Sequence, residues 1–138
     1  MATSKVLYKG ELSTEAVHLK SSKQLVTDAP TDNNGLGRTF SPTDLLATSL
    51  ASCMLTIMGI RANESDLDIS GTRATVTKIM SSAPRYVAEI VVEIEIMDRN
   101  LGQKNRSVLE KAALTCPVAL SLSNALKQTV SFSYATKV

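Results

Sequence analysis

Two cysteines, Cys53 and Cys116, and a single histidine, His18, are the residues of this 138-residue chain on which covalent or metal chemistry could be built. One histidine and two thiols 63 residues apart do not make a multi-histidine site, a His-bearing zinc motif or CxxC spacing within one subunit. No metal site is therefore expected, and thiol chemistry remains. Cys53 stands among Leu50, Ala51, Met54 and Leu55. A cysteine in such surroundings is ordinarily an inert small hydrophobe with a raised pKa, unless a charge brought from elsewhere activates it. Cys116 precedes Pro117, which opens a helix, so its thiol sits at a helix N-terminus where free N–H groups favour a thiolate. Helix electrostatics alone make Cys116 the more reactive of the two, with a purely structural cap as the alternative.

The elements that must position these thiols follow from patterning. Ser41-Pro42-Thr43-Asp44 is a strong helix start: Ser at the N-cap, Pro at N1, and an acid at N3 able to reach back to the cap. The helix is expected over 41–62. From Leu45 to Ile60 its apolar residues occupy every side, so it must be enclosed by other elements or by another subunit. Before it, residues 1–27 read as a β-meander with strands at Val6–Leu12, Ala16–Lys20 and Gln24–Val26, turning at Ser13-Thr14. Residues 28–40 read as an irregular loop of the length that is usually functional or disordered. After the helix come a strand from Gly71 to Met80, a turn at Ser81–Pro84, and a period-two strand. That strand puts Tyr86, Ala88, Ile90, Val92, Ile94 and Ile96 on one face, and Glu89, Glu93 and Glu95 opposite, within reach of Arg73 and Lys78. A helix capped by Asn105 or Ser107 runs to Leu114, a second runs from Pro117 through Leu126, and Val130, Phe132 and Tyr134 form a last strand. The order predicts one α+β domain over 1–138, with antiparallel sheets packed on a central buried helix.

Composition removes other functions. Fifteen basic and thirteen acidic residues balance to +2, aromatics are 4% and Trp is absent, so neither a phosphate-binding stripe nor a base-stacking surface is present and nucleic acid is not an expected partner. Leu45 to Ile60 is too short and too rich in Ser and Thr for a bilayer span. MATSKVLYKG lacks a signal peptide's apolar run, so a cytoplasmic location is expected. Gly35-Leu36-Gly37 lacks the third glycine and the strand-to-helix setting of a dinucleotide fingerprint and reads as a turn.

Phe40-Ser41-Pro42-Thr43-Asp44-Leu45-Leu46, then Ser49-Leu50-Ala51-Ser52-Cys53-Met54, and later Thr115-Cys116-Pro117-Val118 resemble the two cysteine motifs of the OsmC/Ohr (organic hydroperoxide resistance) superfamily, in the same order and across essentially the whole chain. The resemblance implies an intertwined homodimer with active sites at the subunit interface. It also implies a thiol peroxidase without a cofactor: Cys53 attacks a small-molecule hydroperoxide, Cys116 resolves the sulfenate as a disulfide, and a dithiol reduces it. This reverses the ranking that helix electrostatics gives. Where the Ohr branch has an Arg after its first strand and a Glu early in the central helix, this chain has His18 nearby and Thr43. Arg38, held by Asp44, is the expected substitute as activating cation. Leu46, Leu50 and Met54 are expected to line a pocket that favours organic hydroperoxides. A different class of function, a non-enzymatic dimer binding a small apolar or electrophilic ligand at its interface, is the alternative.

Overall fold

The structure, a computed structural model, describes residues 1–136. The described residues divide into two compact units, 1–46 and 47–136, the division falling near the start of the long helix.

The N-terminal unit is an antiparallel three-stranded sheet in the order β1-β2-β3: β1 (Ser4–Gly10), β2 (Ser13–His18) and β3 (Gln24–Asp28). The β1–β2 turn lies at Glu11–Leu12 rather than Ser13-Thr14. Gly10, Glu11 and Leu12 all have positive φ, a conformation Gly adopts without steric cost, and the strand register shifts between Tyr8 and Gly10. The Ser13 and Thr14 hydroxyls are spent across the sheet instead, Ser13 donating to the Thr27 carbonyl at 3.0 Å and Thr14 bonding the Thr27 hydroxyl at 2.6 Å. The expected loop over 28–40 is a folded knot. A 3-10 turn (Thr31–Asn33) opens it, Asp28 N–H donates to Phe40 O, and Gly37 N–H donates to Ala29 O. Gly35 is obligatory, because a Cβ there would fall 1.8 Å from Ala29 O. The buried residues of this unit, Ser13, Thr27, Asp28 and Ser41, are all polar.

The C-terminal unit holds the apolar core. Helix α1 (Pro42–Glu64) runs into a second sheet of order β4-β5-β6: β4 (Arg73–Ser82), β5 (Arg85–Met97) and β6 (Lys127–Ala135). Between β5 and β6 lie α2 (Gly102–Leu114) and α3 (Pro117–Ser121). β5 pairs antiparallel with β4 but parallel with β6, so this sheet is mixed; the two-helix connection returns the chain to run alongside β5. Ile90, Val92, Ile94 and Ile96 face the core as the alternation predicts, and Arg73 pairs with Glu95 at 3.5 Å. The phase breaks at Ala88: Ile79 opposes Glu89 but Met80 opposes Val87, a bulge that buries Val87 and leaves Tyr86 exposed.

α1 has 23 residues and is long and apolar enough by composition to cross a membrane. Within the chain Leu50, Met54 and Met58 are wholly enclosed, which makes it the core helix of this unit. α2 starts three residues before Asn105, because the buried Asp98 accepts the Leu101 N–H at 2.7 Å and is gripped by Arg106. These two partners, the Leu101 N–H first, hold its carboxyl below the usual range. α3 stops at Ser121 rather than Leu126, since Leu122 is already extended.

Candidate active site

Cys53 lies midway along α1 and is partly exposed, whereas Cys116 is fully buried; neither is in a disulfide. The sequence around Cys116 fixes its conformation. Thr115 ends α2, and Pro117 disfavours a helical conformation in the residue before it, so Cys116 is extended (φ −67°, ψ 152°) and caps α3. Its Sγ accepts the Ala119 N–H at 3.4 Å. Cys53 packs against the buried apolar cluster that contains Cys116, close enough for its thiol to act on the Cys116 sulfur.

Three influences act on the Cys116 thiol. Burial pushes its pKa up and dominates; the Ala119 and Val118 N–H groups pull it down; and the neighbouring Cys53 thiol pushes it up again. The helix-end effect that favours Cys116 as the reactive thiol is thus outweighed by enclosure. α3 is only five residues long, a small source of dipole. The accessible sulfur is Cys53. The juxtaposition also needs no second subunit, because both sulfurs come from one chain and one unit.

The expected activating pair is arranged differently. Asp44 closes a capping box with Ser41: Asp44 accepts the Ser41 N–H at 2.9 Å, and the Asp44 N–H donates to Ser41 Oγ at 3.0 Å. Arg38 is instead held by Asp28, whose carboxylate accepts the Arg38 backbone N–H at 2.9 Å, Nε at 2.8 Å and Nη2 at 3.1 Å. The Arg38 hydrogen bonds draw the Asp28 pKa down to about 2. Asp28 is the carboxylate that sequence reading missed: a loop folding back over ten residues leaves no periodic signal. His18 bonds Ser21 at 2.6 Å on the exposed end of β2, a local turn contact.

The expected pocket residues also separate. Leu50 and Met54 are core side chains with no exposure, so they line no open cavity, while Leu46 is exposed. A cavity of about 160 Å³ lies elsewhere on α1, lined by Ile57, Ile60, Arg61, Glu64, Ala112 and Thr115. Ile57 is one turn past Cys53 and Thr115 directly precedes Cys116. Among the described residues no cluster of three or more His, Cys, Asp or Glu is placed to hold a metal ion.

A sequence model of OsmC-like protein matches residues 34–131, which include both cysteines. No curated protein matches the sequence. Among solved structures the chain is similar to one from Psychrobacter arcticus 273-4 described as an osmotic stress induced and detoxification response protein. The two share 52% identity over 96% of each chain, with a TM-score of 0.90. An organic hydroperoxide resistance protein OsmC from Legionella pneumophila (18% identity, 96% of this chain and 98% of that one, TM-score 0.71) has the same fold. So does OhrB of Bacillus subtilis (16%, 96% and 98%, 0.66). With the family motif spanning well over half of the residues and a relative of this identity covering nearly all of them, the chain belongs to the OsmC-like protein family.

Proposed function

We propose that this protein serves a stress or detoxification response by reducing organic hydroperoxides with its two thiols, as a cytoplasmic homodimer. The observation that carries the reading is the pairing of a partly exposed Cys53 with a buried Cys116 from the other end of the same unit. The Cys53 thiolate attacks the O–O bond, an alcohol leaves, and Cys53 becomes a sulfenic acid. Cys116, already in reach, displaces the hydroxyl as water and closes a disulfide. A dithiol then returns both cysteines to thiols and is itself oxidised to a disulfide. Relatives named for organic hydroperoxide resistance and for a detoxification response support the substrate class.

The homodimer is supported by the N-terminal unit. A three-stranded sheet needs a covered hydrophobic face to be stable, yet Val6, Tyr8 and Leu25 on one face of this sheet are all well exposed in the single chain. A second copy is the occupant that family membership favours.

The experiment is to mix the reduced protein with cumene hydroperoxide and follow free thiols and peroxide together. The expected result is loss of both thiols per chain, with an intrachain Cys53–Cys116 disulfide. A Cys53→Ser variant should consume peroxide at least about a hundredfold more slowly. Thiols that persist in the wild-type protein would sink the peroxidase and favour a ligand-binding dimer.

A further inference from the structure

We propose that the reductant enters this cycle at Cys53: in the oxidised protein the incoming thiolate attacks the Cys53 sulfur, and Cys116 is the thiol released. The inference rests on the proposed dithiol cycle and adds the direction of its second half. Thiol–disulfide exchange requires the attacking, central and leaving sulfurs to lie in line, so the attacked sulfur must be open on the side away from its partner. The reduced structure presents the two sulfurs unequally. Cys116 belongs to the apolar core, with no exposure, between the end of α2 and the start of α3. An approach to it from outside would have to displace that packing. Cys53 is partly exposed on the flank of α1.

Burial raises the Cys116 pKa, which by itself makes it the slower-leaving thiol, so access rather than leaving ability decides which sulfur is attacked, and one contact assists the departure of Cys116. When the S–S bond breaks, the electron pair goes to Cys116 Sγ, where the Ala119 N–H already donates. The proton given up by the attacking thiol is then taken by Cys116. Burial raises its pKa, which holds it as a thiol and slows its return attack on the new mixed disulfide. The second thiol of the dithiol attacks the reductant's sulfur in that mixed disulfide. The reductant leaves as its own disulfide, and Cys53 is freed.

The test uses the wild-type protein and does not depend on peroxide. The chain is oxidised with diamide and treated with one equivalent of glutathione. The thiol set free is alkylated with iodoacetamide, and both cysteines are mapped by peptide mass. Glutathione is expected on Cys53 and the alkyl group on Cys116, in at least about tenfold excess over the reverse pattern. Equal labelling, or glutathione on Cys116, would overturn the inference, as would failure of diamide to form the disulfide. If diamide forms the disulfide and it opens at Cys53, while cumene hydroperoxide leaves the reduced thiols untouched, the inference stands and the peroxidase reading falls.

Discussion

The two units of this chain are stabilised by different means. Residues 47–136 enclose an apolar core built from α1, β5, α2 and the Cys116 turn. Residues 1–46 bury only Ser13, Thr27, Asp28 and Ser41, and hold their shape with strand ladders, hydroxyl pairs and one buried carboxylate. The unit with the core carries both sulfurs. Enclosure there does chemical as well as structural work, since the packing that shields Cys116 also decides which thiol is accessible. The N-terminal unit lacks an apolar core because its apolar residues, Val6, Leu7, Tyr8, Leu25 and Val26, are turned to the surface.

The strongest way to break this comparison is to open the core. Leu50 has no exposure and lies one turn before Cys53's neighbour Met54, so Leu50→Ala removes buried methyl groups and leaves a cavity. The expected loss is about 2–5 kcal/mol of unfolding free energy, measured by urea denaturation. As the cavity loosens the packing around the dithiol, alkylation of Cys116 in the native protein should accelerate. A loss comparable to that of a surface substitution would mean that α1 is not the core helix.

What was legible in the sequence divides along the same line. The capping box at Ser41–Asp44, the buried row Ile90 to Ile96 and the Pro117 helix start are local patterns, and the structure contains them. Family resemblance added the expectation that Cys53 works with Cys116, which no local pattern contains. The grip of Asp28 on Arg38, the Ala88 bulge and the parallel β5–β6 pairing arise when the chain closes on itself, and none leaves a periodic trace. The pocket expected from Leu50 and Met54 failed for a related reason: apolar residues at helical spacing read alike whether they line a cavity or fill a core.

A smaller effect sharpens the other side of the comparison. Leu25 is 43% exposed and lies in register with Ala16, itself opposite Val6. In a lone chain Leu25→Ala belongs with surface substitutions, within about 0.5 kcal/mol of neutral. If a second copy covers this face, the same change removes apolar area from an interface. The expected result is a dimer weakened by about 1 kcal/mol, roughly fivefold in Kd, read by sedimentation across a concentration series. A thermal midpoint independent of protein concentration in both proteins would remove the dimer from the account.

The smallest effect at neutral pH belongs to Asp28 and Arg38, because Arg38 is more than half exposed and water screens the pair. Its signature lies in acid. The Asp28 carboxyl has a pKa of about 2 in the folded chain, below its ordinary value of 3.8. A carboxyl whose folded pKa is depressed stabilises the fold above the unfolded pKa, and this contribution fades as pH falls from about 4 to about 2. Asp28→Asn keeps the size of the side chain and removes that titration. The variant should be less stable than the parent above pH 4, and the difference should shrink as the pH falls to about 2. An Asp28→Asn profile parallel to the parent's through this range would show that the loop is closed by the backbone bonds of Gly37 and Phe40 alone, and that the N-terminal unit owes nothing to its one buried charge.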